Sequence, residues 1–172
     1  KGPSGSIYGL AIAGAVNMEM KADRTRSIGQ DIMIGDYGLF RSTSRFNFST
    51  DKSAIQVNYG RQYFGGYMPH NASRKTFFNI VSDVRVNEQQ KISTYLGYIN
   101  SYDERNGELT ALQYDTLDYS GNPRYIKNDA HSAVRTIRGG LSHSYGFNAH
   151  WNNHTSIFGS AQIIDQSSAG GW

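Results

Sequence analysis

Polar and apolar residues alternate with a period of two in one stretch of this chain after another, and helical periodicity is hard to find beyond about Ser27. In residues 41–49, Arg41, Thr43, Arg45 and Asn47 fall on one side, and Ser42, Ser44, Phe46 and Phe48 on the other. Residues 54–64 set Ile55, Val57, Tyr59 and Tyr63 against Gln56, Asn58, Gly60 and Gln62. Residues 76–86 set Phe78, Ile80, Val84 and Val86 against Asn79, Asp83 and Arg85. Residues 135–147 oppose Ile137, Leu141, Tyr145 and Phe147 to Thr136, Arg138, Ser142 and Ser144. Residues 92–102 and 155–165 alternate less cleanly, and residues 30–36 make a seventh candidate. Successive side chains of a strand point to opposite faces, so each stretch reads as a strand with one apolar and one polar face. The fold class expected is all-β and antiparallel.

The connections order these strands. Residues 50–53, 87–91 and 148–153 are short polar turns, whereas residues 65–75 and 103–131 are long links. Short and long connections alternate, as in an up-and-down sheet with plain turns at one end; residues 36–38 are the exception, short where the pattern wants a long link. Pro3, Pro69 and Pro123 all fall in turns or links, consistent with proline's inability to donate to a ladder. Within the last long link, Asn106-Gly107 reads as the turn of a solvated hairpin tip. That link is acidic: Asp103, Glu104, Glu108, Asp115, Asp118 and Asp129 outnumber Arg105, Arg124 and Lys127.

A soluble sandwich would alternate too, and strand length separates the two cases. Sandwich strands run about five or six residues. These span about ten or more, enough to cross a bilayer at a tilt. Aromatics gather near strand ends: Tyr59, Tyr63, Phe64 and Tyr67; Tyr98 and Tyr102; Tyr145, Phe147 and Trp151. That distribution matches the girdles of a membrane barrel, whose outer face is apolar and whose interior is polar. With 13% aromatic residues, including 12 Tyr, the chain is no disordered polar polymer. No apolar run approaches the ~18 residues of a membrane helix; the longest, residues 7–20, is broken by Gly9, Gly14 and Asn17. A net charge of +3 without a basic stripe argues against nucleic-acid binding. The absence of cysteine removes disulfide scaffolds, thiolate zinc sites and thiol catalysis. The sequence opens abruptly at Lys1 with a Gly-Pro turn and no signal-peptide pattern, and it is expected to be an excerpt of a longer chain.

The first residues carry a sharper signal. Lys1-Gly2-Pro3-Ser4-Gly5-Ser6-Ile7-Tyr8-Gly9, followed by Gly14-Ala15-Val16-Asn17, resembles the closing segment of the plug domain in TonB-dependent outer-membrane receptors. In that family a Lys/Arg-Gly-Pro turn leads to Tyr-Gly, then to a Gly-rich turn and a short strand ending near Asn. Pro3 fixes the chain direction after the turn, and Gly5, Gly9 and Gly14 permit close backbone approach. Gly14-Ala15 departs from the two adjacent glycines that many members have. The matched motif is confined to residues 1–17, with Gly2, Pro3, Tyr8, Gly9, Gly14 and Asn17 as its structural positions.

The resemblance implies a 22-stranded barrel around a plug, of which these strands form about a third. Residues 1–22 are then the end of the plug, and residues 23–172 the first part of a transmembrane β-barrel. It also implies an outer-membrane receptor of a Gram-negative bacterium that takes up a scarce nutrient by active transport. The ligand expected is a ferric siderophore or other iron chelate, with cobalamin, haem, citrate and glycans as other family ligands. Its partners are the TonB energy-transducing complex and outer-membrane lipid. The competing reading is a passive barrel or surface adhesion module without energised transport. An open sheet in lipid leaves unsatisfied backbone groups at both edges, so the missing plug and strands are expected to be required.

No enzyme motif survives inspection, and no resident cofactor or metal is implied. Gly2-Pro3-Ser4-Gly5 lacks the spacing of a nucleophile elbow, and no Gly-Lys-Ser/Thr follows. His143, His150 and His154 have no carboxylate among them, and a four-residue spacing does not share a face around a turn. The Asn-x-Ser/Thr triplets at Asn47, Asn71 and Asn153 carry no glycosylation assignment in a bacterial protein, and the acidic link lacks calcium-loop spacing. The remaining candidates are Arg41, Arg45 and Arg138 on the polar sides. Their guanidinium forks either hold the anionic oxygens of a ligand or pair with carboxylates of the plug and neighbouring strands. Tyr67, His70 and Arg74, with Tyr63 and Lys75, flank the link of residues 65–75 as an aromatic and cationic mouth, or as an interfacial girdle.

Overall fold

The computed structural model describes residues 21–168. The plug-like positions Gly2, Pro3, Tyr8, Gly9, Gly14 and Asn17 lie outside these residues. Seven strands follow one another: β1 Ser27–Gly35, β2 Leu39–Ser49, β3 Ser53–Phe64, β4 Ser73–Arg85, β5 Gln90–Glu104, β6 His131–Gly146 and β7 Asn152–Gln166. Two short helices, α1 Ala111–Asp115 and α2 Pro123–Lys127, interrupt the link between β5 and β6. Every strand pairs antiparallel with its sequence neighbours in one sheet ordered β1-β2-β3-β4-β5-β6-β7. Each stretch of alternation is therefore a strand. The ends reach further than the alternation alone indicates: β4 starts at Ser73, which draws Arg74 and Lys75 out of the link and into the sheet.

The register fixes which residues share a face. One row of partners, Gly29-Arg45-Asn58-Asn79-Gly97-Arg138-Ser160, crosses all seven strands. Directly opposed residues project to the same side, so this row and its alternates define a polar face. Ile55, Val57, Ile80, Val84, Ile137 and Leu141 occupy the other face together.

Burial is inverted relative to a sheet that folds in water. Such a sheet hides its apolar face against a core and leaves the polar face wet. Here the buried strand residues, Ser49, Ala54, Gly60, Val81, Asp83, Gly97, Ser132 and Thr136, all stand on the polar face. Ile28 (82% exposed), Phe46, Leu96, Ile137 and Ile157 stand bare on the apolar face. Among the described residues no second sheet covers them.

Part of this burial comes from the segment leading into β1, which lies across the polar face at the short-turn end. Ala22 packs with Ala54 and Val81, against the side of Tyr95. Its N–H donates to Asp83 Oδ2 (3.3 Å), and the Asp23 N–H donates to Gln56 Oε1 (3.4 Å). Arg26 Nε donates to the Ser49 carbonyl (2.7 Å), and Ser49 Oγ donates to the Arg24 carbonyl (2.6 Å). Asp83 is buried, and it also accepts from Ser93 Oγ (2.5 Å) and faces Lys91 Nζ at 3.1 Å.

The two ends of the sheet differ. At one end, turns of a few polar residues join β2 to β3, β4 to β5 and β6 to β7. The short β1–β2 link, at the other end, is a tight turn with Tyr37 (φ 57°) and Gly38 (φ 72°) both left-handed. That backbone twist suits a two-residue hairpin, so the link needs no extra length. The β5–β6 link corrects the sequence expectation of a simple hairpin tip at Asn106-Gly107. Gly107 (φ 75°) turns the chain near the base of the link, and the Asn122 N–H returns to the Asn106 carbonyl at 2.9 Å. Between them, Thr110 and Gln113 close a reciprocal capping box on α1, and Asn122 caps α2 with Pro123 in its first turn. These helix-start signals outweigh the Asn-Gly hairpin signal because the segment is long enough to satisfy its own backbone locally.

Candidate functional site

Register places two rows of polar groups on the polar face with a single row between them. Arg41, Gln62 and Lys75 are successive partners across β2, β3 and β4. Two residues along each strand lie Thr43, Gly60 and Phe77, and beyond them Arg45, Asn58 and Asn79, in the row that runs through Gly97 to Arg138. Gly60 and Gly97 carry no Cβ, and the vacated space is filled by the Phe77 ring over Gly60 and the Tyr95 phenol over Gly97. A side chain at either glycine would collide with an aromatic group already there. The result is a floor of rings and glycines with long polar side chains around it.

That floor belongs to a shallow cleft of about 220 Å³ lined by Arg41, Gln62, Lys75, Asn79, Tyr95 and Arg138, among others. Asn58 Nδ2 donates to Asn79 Oδ1 at 2.8 Å, which orients the Asn79 amide. Arg45 stands outside the cleft and is paired with Asp31 on the neighbouring strand. Arg41, Lys75 and Arg138 have no carboxylate partner among the described residues. Three unpaired cations around one hollow attract an anion. Two are guanidinium forks, suited to carboxylate, phosphate or other paired oxygens.

The other sequence candidates lie elsewhere. Tyr67 is exposed in the link of residues 65–72, edge-to-face with Tyr37 at 6.1 Å. The His70 side chain is only 11% exposed, with Nε2 2.8 Å from the Ala130 carbonyl, so it ties one long link to the other. Arg74 is on the apolar face, its guanidinium 4.7 Å from the centre of the Tyr102 ring. The structure thus brings Arg41 and Arg138 together and keeps Tyr67, His70 and Arg74 apart from them. Lys75 is the cleft residue that sequence reasoning set in the wrong element. Extending the β4 alternation by one further step from Phe77 would have put it beside Gln62.

The long-link end carries the backbone irregularity. Among the described residues every left-handed backbone position, Tyr37, His70, Leu117 and Asp129 besides four glycines, lies in these links. Residues held in such conformations cost energy and concentrate at binding and switch regions. The Arg105 N–H donates to the Ala130 carbonyl (2.8 Å) and closes the base of the 105–130 link, while Asn106 Nδ2, 2.8 Å from the sulfur of buried Met68, holds that link to the 65–72 link. Asp118 lies in the same region, and the Ser120 N–H directed at its carboxylate (3.0 Å) holds its pKa below the usual aspartate value.

The histidines do not converge. His143 partners Thr155 on the apolar face, His154 partners Ser144 on the polar face, and His150 sits in the turn between. Among the described residues no group of three His, Cys, Asp or Glu side chains is placed to hold a metal. No protein-family model and no curated protein sequence matches the chain.

Proposed function

We propose that this chain is part of an outer-membrane receptor for active, TonB-dependent uptake of a scarce nutrient, with a ferric siderophore or similar anionic iron chelate as its ligand. The observation that carries the reading is the division of labour between the two faces. The entering segment is seated on the polar face through Ala22, Asp23 and Arg26, while the bare large aliphatic groups concentrate on the opposite face. A wall solvated by acyl chains outside and closed around a polar stopper inside has this arrangement. The resemblance of residues 1–17 to the end of a plug adds independent support, since the chain then reaches β1 from the side where a plug would lie.

In this reading the polar face is the lumen, and the long links are the outer loops. Among the described residues β1 and β7 each leave one edge unpaired in the sheet, and in lipid such edges need further strands. The wall therefore continues beyond both of them in the parent polypeptide. Arg41, Lys75 and Arg138 contribute a positive surface to the lumen. They guide an anionic chelate descending past the displaced plug, or hold plug carboxylates at rest.

Uptake of a labelled ferric chelate by cells carrying the parent protein tests this function. The expected result is accumulation that vanishes when TonB is deleted and falls when Arg41, Lys75 and Arg138 are replaced together by glutamine. Accumulation independent of TonB would support the passive-barrel alternative instead. Recovery of the parent protein in the aqueous extract of cell envelopes would overturn the membrane reading altogether.

A further inference from the structure

Two long links and the end of β7 meet at a pair of histidines. His70, in the 65–72 link, places Nε2 2.8 Å from the Ala130 carbonyl and 3.8 Å from Asp129 Oδ1. His131, which opens β6, places Nδ1 2.6 Å from the Asp129 carbonyl and Nε2 3.6 Å from Asp165 Oδ2 on β7. Ser167, just past β7, donates from Oγ to the same Asp129 carbonyl (2.9 Å), and its N–H donates to the His131 carbonyl (3.0 Å). Glu104 holds the 65–72 link from its other side: Oε2 accepts the Ala72 N–H at 2.8 Å, and the Glu104 N–H donates to the Ala72 carbonyl at 2.9 Å. Both imidazoles are mostly covered, and His70 (φ 58°) and Asp129 (φ 49°) have left-handed backbones, a strain that the surrounding contacts must offset.

A carbonyl oxygen only accepts, so these contacts decide which ring nitrogens carry hydrogen. His131 holds its hydrogen on Nδ1, toward the Asp129 carbonyl, and in the neutral ring the bare Nε2 lone pair is turned to the Asp165 carboxylate. Two electron-rich atoms then face each other, and a proton on Nε2 converts that opposition into a charged pair. His70 holds its hydrogen on Nε2, toward Ala130, and a second proton makes its ring a cation beside Asp129. The fixed charges around the pair are Glu104 on β5, opposite His131 in register, Asp129 in the link, Asp165 on β7 and Arg74 on β4. All four gather about the Tyr102 ring, on which His131 stacks at 5.3 Å between centres. While the imidazoles are neutral, three carboxylates face one guanidinium, and two imidazolium ions would balance the excess.

We infer that His70 and His131 form a latch that protonation fastens, holding the 65–72 and 105–130 links to each other and to the end of β7, and that loosens when both rings are neutral. Imidazole is the side chain that changes charge between about pH 5 and 8, so the latch is tight at the acidic side of that range and slack at the alkaline side. The cluster stands clear of the apolar belt, whose last residue on β5 is Tyr98. At His131 the Asp129 carbonyl on Nδ1 and the Asp165 carboxylate facing Nε2 both favour the protonated ring, against the partial burial that opposes it. Arg74 opposes it too, but one cation is outnumbered by three carboxylates. The inference goes beyond the receptor reading and does not depend on it. In that reading the links are outer loops, and the latch responds to the pH outside the cell.

Hydrogen exchange of the parent polypeptide tests this, with rates corrected for the intrinsic pH dependence of amide exchange. The Arg105 N–H, bonded to Ala130, and the Ser167 N–H, bonded to His131, report on the latch. The Val86 N–H, bonded to the Gln90 carbonyl in a turn at the opposite end, is the reference. From about pH 5 to about pH 8, protection at Arg105 and Ser167 should fall about fivefold relative to Val86. His131→Phe keeps a ring on Tyr102 that cannot be protonated, and His70→Gln keeps a donor for the Ala130 carbonyl. Together they should abolish the difference. An equal fall in that double variant, or none in the unaltered protein, overturns the inference. Should the double variant fail to fold, Asp165→Asn replaces it, because Asp165 is exposed and tolerates the change. The response should then shrink about twofold, and an undiminished response overturns the inference. Exchange is read without ligand or TonB, so either result leaves the receptor reading to its own uptake experiment.

Discussion

Replacing Leu96 with arginine, and separately Asn100 with arginine, would separate a wall in lipid from a sheet in water. Both residues project from the same face of β5, two side-chain steps apart, and both are exposed, Leu96 at 44%. In water, substitutions at such positions change stability by about 0.5 kcal/mol or less. In lipid, depth decides the cost. The apolar residues of β5 on this face run from Ile92 to Tyr98, so the belt is centred near residue 95. A strand rising ~3.4 Å per residue and tilted by ~40° climbs ~2.6 Å per residue along the membrane normal. Leu96 then lies ~3 Å from the midplane and Asn100 ~13 Å from it, close to the edge of a band ~25 Å tall.

Arginine near the midplane of a membrane barrel costs about 2–4 kcal/mol, and at the interface about 0–1 kcal/mol. Leu96→Arg should therefore destabilise by ~2–3 kcal/mol more than Asn100→Arg, roughly a 30- to 150-fold difference in the folding equilibrium. Leu96→Ala isolates the contribution of lost cross-strand packing with Ile80 and Gly139, worth at most ~1 kcal/mol. The assay is reversible urea unfolding of the parent protein in phosphatidylcholine vesicles. Equal and near-neutral effects at both positions would refute the argument, because depth, beyond the packing that the alanine variant measures, is what separates them.

Two further predictions concern the polar face. Asp83→Ala leaves the Ala22 N–H, Ser93 Oγ and Lys91 Nζ without their shared acceptor and should weaken the seating of residues 21–26 by about 2–3 kcal/mol. Hydrogen exchange at the Ala22 amide should accelerate at least about tenfold, and an unchanged rate counts against the seating. Gly60→Ala drives a methyl into the Phe77 ring and should cost about 1–3 kcal/mol. In a double-mutant cycle Phe77→Ala should relieve most of that loss, whereas strict additivity would mean that the ring does not occupy the site.

The strands were legible in the sequence because the period of the pattern is the period of the structure. Arg45-Phe46-Asn47-Phe48 in β2 and Ile55-Gln56-Val57-Asn58-Tyr59 in β3 alternate without a break, and a sheet with one wet and one apolar face requires that alternation. The ends were less legible. Ser73, Arg74 and Lys75 are all polar, and three polar residues in succession read as a link until the partner strand is known. Their membership in β4 comes from pairing with Asp103, Tyr102 and Ser101, thirty or so residues away in the chain. The 105–130 link failed for a related reason. Asn106-Gly107 is a strong hairpin signal taken alone, but Thr110 with Gln113 and Asn122 with Pro123 begin helices in the same span. Local signals conflicted, and the number of residues available to each decided between them.

The candidate site shows where parity stops being sufficient. Parity put Arg41, Arg45 and Arg138 on one face, which the register bears out. It could not separate Arg45, neutralised by Asp31, from Arg41 and Arg138, because that depends on β1 opposing β2 at one particular register. Nor could it show that Gly60 and Gly97 make room for the Phe77 and Tyr95 rings on that face, since a glycine in an alternating run looks only like a weak polar position. The same limit applied to the opposite face. Arg61 and Arg135 each interrupt an apolar series singly, and only the register aligns them with Ser42, Thr76 and Asn100 into a continuous level. A level shared by five strands has a meaning that a single exception lacks, because neighbouring polar side chains across a sheet solvate one another. A lone arginine on an apolar face is a local cost, but a row of polar groups across five adjacent strands, bounded by Ile32 on β1 and Ile163 on β7, is a property of the sheet and not of one residue.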